Sequence, residues 1–420
     1  MIDMPALIRV EQQFSRERID NIRSEVLAQL GQMEDAVRPG DKIAIAVGSR
    51  GIANLALIVR TVVDWVKSRQ GEPFIVPAMG SHGGGVAKEQ EKILERLGIT
   101  RSRVGAPIKS SMETVTLPQG EGEHPVYMDR NAYEADGTIV INRVKVHGDF
   151  FGEIESGLMK MCAIGLGKHK LALQIHGRGI NRLEAEFVKA ARRMIKTANI
   201  RLGIAVLENA YHETMIIKAL PPDRFEEEEK KLLRIYKSIM PRLPVDELDI
   251  LIVDEIGKDV SGAGMEPKIV GRLRSGFKEP EKPKIRYIVT TDLTDASCGN
   301  ACGVGLADFI TRKLLNKIDL DSTNENVITS GCVEQGRIPI IARDDRQAVE
   351  FAIRALGDMP AAQMRITRIK NTLCMSELYM SANLAGELAG NPAVTSVGKR
   401  EATQFVPGGR SLICFDQLGG

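Results

Sequence analysis

The stretch KIAIAVGSRGIANLALIVRTVVDWVKSRQGEPFIVPAMGSHGGG, Lys42 to Gly85, decides the fold. It opens on an unbroken apolar run, Ile43 to Val47, that turns through Gly48-Ser49-Arg50-Gly51. From Asn54 to Arg69 the apolar residues Leu55, Leu57, Ile58, Val62, Trp65 and Val66 recur at helical spacing, which predicts a helix. A second run, Pro73 to Met79, ends in GSHGGG and leads into an amphipathic segment, Val86 to Leu97. Strand, glycine loop and helix therefore follow one another twice. That order predicts an α/β fold with a parallel sheet and ligand loops at the carboxyl ends of its strands. Arg50 and His82 sit on those two loops.

The next buried strand is Thr138 to Asn142, with His147 a few residues past its end. The segment from Lys145 to His176 gathers three of the six histidines among lysines and glycines. Lys160 follows His147 by 13 residues and His176 follows Lys160 by 16, spacings too wide for one face of one helix. Only tertiary folding brings them together. A charged N-terminal segment, about Ser15 to Asp35, reads as helix; so do Arg182 to Lys196 and Arg224 to Met240, where EEEEKK reads as a solvated face. Leu202 to Asn209 and Thr214 to Ala219 read as strands. The two prolines between Pro241 and Asp246 mark a boundary, which divides the chain into domains 1–243 and 244–420. The second repeats the α/β pattern, with strands at Asp249–Gly257, Ile285–Asp292 and Ile338–Arg343 and helices at Gly305–Asn316 and Arg346–Leu356. Two α/β domains with mainly parallel sheets and an active-site cleft between them are expected.

Lys plus Arg number 57 against 55 Asp plus Glu, a net charge of +2, which gives no reason to invoke nucleic acid or a membrane surface. The opening residues lack the basic start and apolar core of a signal peptide, and no apolar run approaches a membrane span, so a cytoplasmic protein is expected. The six cysteines form no C-x-x-C pair, the usage of reduced thiols. GSRG and GSHGGG match neither the Walker phosphate loop nor G-x-G-x-x-G. Each still leads toward a helix N-terminus, where free N–H groups suit a phosphate or carboxylate. Histidine exchanges protons near neutral pH, which makes His82 and His147 the candidate acid-base pair, the alternative being that either one only hydrogen-bonds a loop backbone. Lys160 lies in the apolar run Leu158-Met159-Lys160-Met161-Cys162, where desolvation favours a neutral, nucleophilic amine. His176 offers one ring nitrogen to a metal, with no second histidine at helical i, i+4 spacing.

Taken together, GSRG, AMGSHGG and H-x2-FF followed by a lysine and a histidine resemble the nickel-dependent lactate racemases. The resemblance implies a racemase or epimerase of a 2-hydroxy acid, with a nickel-pincer nucleotide joined covalently to Lys160 and its nickel ligated by His176. It implies that His82 and His147 act alternately as acid and base on the substrate hydroxyl during transient hydride transfer. Arg50 would bind substrate, and Lys268 of the second domain would join it. The proteins that build the cofactor would be transient partners. The likeness is specific from about Asp41 to Gly177, and it has departures. Gly48-Ser49-Arg50 stands where the family has D-H-T-R, Gly83 stands where it has an arginine, and Glu266 stands where it has a glutamine. The segment from His147 to Lys160 is also longer. These changes predict a roomier pocket and a substrate other than lactate. Two rivals are a dehydrogenase with a dissociable nicotinamide cofactor, disfavoured by the missing G-x-G-x-x-G, and a non-catalytic nucleotide- or metal-cofactor-binding protein.

Overall fold

Short apolar runs bounded by glycine or proline form the strands, because a parallel sheet covered on both faces accepts continuous apolar sequence. In a computed structural model describing residues 5–418 except 389, 403 and 408, the first strands are β1 (Leu7–Gln12), β2 (Lys42–Val47), β3 (Glu72–Pro77), β4 (Thr114–Thr116), β5 (Tyr127–Asp129), β6 (Gly137–Arg143), β7 (Ile200–Glu208) and β8 (Thr214–Leu220). The rest are β9 (Glu247–Ile256), β10 (Lys284–Leu293), β11 (Phe309–Thr311), β12 (Ile340–Ala342), β13 (Ile366–Ile369), β14 (Glu377–Ser381) and β15 (Val394–Ala402). The fold is mixed α/β with mainly parallel sheets. The chain divides into two compact units: Ser15–His147 with Phe151–Met240, and the segment through Phe14 with Gly148–Phe150 and the chain from Pro241 onward.

The first unit holds a sheet ordered β3-β2-β6-β7-β8, parallel except for β8. Alternate residues on the two faces differ in size. Ile43, Ile45, Val47, Ile139, Ile141, Leu202 and Ile204 join one core with the helix Leu55–Ser68, whose Val59, Val62, Val63 and Val66 are fully buried. Across the sheet the residues are small, among them Ala44, Ala46, Gly203 and Ala205. Small residues let the covering helices come close: a Cβ added at Gly203 would lie 2.5 Å from the Phe225 ring and 2.7 Å from a Leu158 methyl. The chain leaves β2 for β3, then returns past β2 to β6, so the winding reverses between β2 and β6. Ligands of open α/β sheets bind at such a reversal.

The second unit holds an eight-stranded sheet ordered β12-β11-β10-β9-β13-β14-β1-β15. Its first five strands are parallel and the remaining three antiparallel. The N-terminal segment, placed with domain 1–243 by the sequence reading, contributes β1 to this sheet, where Leu7 and Val10 are fully buried between β14 and β15. Its alternating pattern pairs with neighbours far along the chain. The helix expected from Ser15 to Asp35 is confined to Ile22–Leu30, opened by the Asn21 side chain, which accepts the Ser24 N–H at 3.0 Å, and closed at Gly31. The helix expected at Gly305–Asn316 is interrupted by β11, because Phe309 and Ile310 pair with β10 and the helix begins only at Arg312. No helix among the described residues is long and apolar enough to cross a membrane.

Candidate active site

The loops after β2, β3 and β6 leave the same edge of the first unit's sheet side by side, since β2 lies between β3 and β6. They carry Arg50, His82 and His147. Arg50 and His82 are exposed and His147 is half-buried. Ser49 Oγ lies 2.8 Å from His82 Nδ1, so a hydroxyl on the β2 loop engages the imidazole on the β3 loop. The backbone N–H of His147 donates to Oε2 of the fully buried Glu155 at 2.7 Å. Glu155 also accepts from the Gly152 N–H and pairs with Lys237 at 2.7 Å. A buried carboxylate thus sets the backbone path at His147.

Lys160 ends the first helical turn, Leu158–Lys160, and a π-helical turn follows at once over Met161–Gly165. Such turns are uncommon and concentrate at functional sites. This one fits beneath both glycine loops. A Cβ at Gly48 would meet the Met161 methyl at 2.8 Å, and one at Gly80 would meet Ile164 Cγ2 at 3.0 Å, while the Gly80 N–H donates to Gly165 O. His176 closes the helix Lys168–His176, with its ring within electrostatic reach of Lys160. Burial, and then the neighbouring Lys160 ammonium, push the His176 pKa down to about 4. Its imidazole is therefore neutral at pH 7, with a ring lone pair suited to a metal.

Three buried polar groups that sequence reasoning missed support these elements. Lys168 is fully buried, its φ in the left-handed region at 56°. Its ammonium donates to Pro77 O at 2.7 Å and Gln90 Oε1 at 3.1 Å, and lies 3.4 Å from Asp129. Burial lowers the Lys168 pKa and raises that of Asp129, and each partner's charge opposes the shift. Gln90, also fully buried, donates through Nε2 to Gly80 O and His82 O, both at 3.0 Å. The third group is Glu229, which accepts the Met159 N–H at 2.9 Å at the start of the Lys160 helix. Burial raises its pKa to about 7. The EEEEKK run is therefore not wholly solvated, since Glu229 is fully buried. Gln90 and Glu229 did carry a signal, since each interrupts an apolar helical stripe: Gln90 with Ile93, Leu94 and Leu97, Glu229 with Phe225, Leu232 and Leu233. Lys168 carried none within its charged run Lys168-His169-Lys170.

The first unit thus brings Lys160 beside His176 and places Arg50, His82 and His147 on neighbouring loops. Lys268 lies in the second unit, half-buried on the helix Pro267–Val270 after β9. Among the described residues no three His, Cys, Asp or Glu side chains gather as a metal cage. Cys302 of the Ser297–Cys302 loop is buried and Cys298 is exposed. A family model described as "Domain of unknown function (DUF362)" matches residues 47–269, more than half the chain, a span containing Arg50, His82, His147, Lys160, His176 and Lys268. Among solved structures the chain is similar to the lactate racemase apoprotein from Thermoanaerobacterium thermosaccharolyticum, at 15% identity and a TM-score of 0.52, covering 88% of this chain and 99% of that one. At this identity the likeness is one of fold. No curated protein matches the chain.

Proposed function

The chain belongs to the DUF362 family, and from that premise we propose that it is an isomerase inverting the configuration of a 2-hydroxy acid, with a nickel-pincer nucleotide held by Lys160 and His176. The observation that carries this reading is the meeting of Lys160 with a neutral His176 beneath the loops of Arg50 and His82. The residues fit such a group. Lys160 offers an amine for a covalent link and His176 offers a ring nitrogen for a metal. Bound there, the nucleotide supplies a hydride acceptor and its nickel.

The side chains do the rest. Arg50 grips the substrate carboxylate through two parallel hydrogen bonds, which presents the hydroxyl to the histidines. One of His82 and His147 takes the proton from the hydroxyl oxygen while the other holds a proton ready for the opposite face. With His82 Nδ1 engaged by Ser49, Nε2 is the atom that exchanges it. Gly83, where the resemblance to lactate racemases implies an arginine, puts no guanidinium at the substrate wall, which suits a substrate larger than lactate.

Loading the protein with nickel-pincer nucleotide and measuring intact mass and nickel content tests the reading. Lys160→Ala is expected to lose the mass increment and the nickel together, whereas His176→Ala keeps the increment and loses most of the nickel. A Lys160→Ala protein that retains covalent cofactor and full activity overturns it.

A further inference from the structure

We propose that Gln90, oriented by Lys168 and Asp129, is a positioning residue for His82: a buried polar relay that fixes the His82 loop and hence the imidazole. The proposal rests on the reading of His82 as an acid-base group. The loop needs such a device, because its backbone follows no regular ladder. Gly80, Gly83, Gly84 and Gly85 all have φ between 58° and 66°, so the loop is built from left-handed turns that glycine adopts readily in many ways.

Gln90 ties it at two points. Its amide has two N–H donors and one oxygen, and all are used: the donors on Gly80 O and His82 O, the oxygen on Lys168 Nζ. The ammonium decides which way the amide faces. Were it flipped, its oxygen would confront two carbonyls and its N–H groups would confront a cation. Lys168 is itself held from three sides: it donates to Pro77 O and Gln90 Oε1 and pairs with the Asp129 carboxylate at 3.4 Å. Lys168, Gln90 and Asp129 are each fully buried. Apolar residues of similar volume in place of a buried ion pair are often as stable or more so. Such residues would supply no donors to the loop, and fixing the loop is what the polar version adds. Ser49 then meets the His82 ring from the adjacent strand's loop, so backbone and side chain are held independently.

The test uses full-length protein without cofactor, labelled with 15N at histidine, and follows the His82 ring by NMR across pH. In the native chain the ring is expected to show one dominant tautomer. Gln90→Met removes both donors and the acceptor. Gln90→Glu restores an acceptor for Lys168 but presents a carboxylate to the two loop carbonyls. Both variants should shift the His82 titration by about half a unit or more and mix its tautomers, and the His176 ring serves as the unaffected control. Lys168→Met, which frees the amide to turn, should give a smaller change of the same kind and stands in if a Gln90 variant does not fold. In cofactor-loaded protein the Gln90 variants should lower kcat about tenfold or more with KM within twofold, as a misplaced catalytic group does. Native His82 titration and tautomer in a folded Gln90→Met or Gln90→Glu protein would overturn the relay. The cofactor-free ring signals do not depend on turnover, so an inactive enzyme with an intact His82 response to Gln90 sinks only the functional reading.

Discussion

Gly80 and Gly84 have nearly the same left-handed backbone, φ 58° and 64°, but different surroundings. A Cβ at Gly80 would come within 3.0 Å of Ile164 Cγ2 and 3.2 Å of Ile164 O, whereas one at Gly84 would meet nothing within 4 Å. Gly84→Ala is therefore expected to cost only the backbone strain, about 1 kcal/mol. Gly80→Ala adds overpacking against the turn that follows Lys160 and should cost about 2–4 kcal/mol in total. Urea denaturation with unchanged m-values measures both, and equal losses would show that Ile164 yields without cost. That glycine clusters mark the loops was legible in AMGSHGGG. Which glycine is crowded was not, because Ile164 reaches Gly80 only after the chain has crossed from β3 to β6 and left the sheet again.

At the scale of one element, the Lys160 helix depends on a buried acid. Glu229 accepts the Met159 N–H, and Asn142 Nδ2 donates to Gly157 O at 2.8 Å just ahead of it. A Cβ at Gly157 would fall 2.3 Å from the Glu229 carboxyl carbon, so only glycine lets the cap approach. Burial raises the Glu229 pKa to about 7, against about 4.3 in an unfolded chain. The folded state thus holds this proton more tightly than the unfolded one. Its contribution to stability is complete below about pH 4 and declines as pH rises to about 7, by about 4 kcal/mol in all. Glu229→Gln cannot ionise and should flatten that part of the pH–stability curve, leaving the variant relatively more stable at pH 8 than at pH 5. Chemical denaturation across that range measures it. A slope unchanged by the substitution would mean that Glu229 stays charged in the fold.

On the scale of the whole molecule, β1 belongs to the sheet of the second unit although it precedes the first in sequence. It pairs on both edges, with β14 over Leu7–Glu11 and with β15 over Leu7–Gln12. Removing residues 1–13 would strip both neighbours of a partner and expose edges prone to association. Hydrogen exchange is expected to quicken in β14 while β2 and β6, in the other unit, keep native protection. Uniform loss across both units would show that the two unfold as one cooperative body.

What the sequence by itself determined is the local grammar. Runs such as Ile43–Val47 and Ile139–Ile141 are buried strands because they hold no polar residue to face water, glycine follows where the chain must turn, and helical spacing supplies the covering layer. The edge of the sheet on which Arg50, His82 and His147 lie follows from that grammar alone. Tertiary structure decided what each polar side chain meets. Gln90, Lys168, Asp129 and Glu229 look like surface residues by type, and each is buried where the fold brings up hydrogen-bond partners or a counter-charge, or where burial shifts the charge itself. The electrostatic coupling of Lys160 to His176 belongs to the same class, since the π-helical turn and the helix that ends at His176, rather than their spacing in sequence, set it.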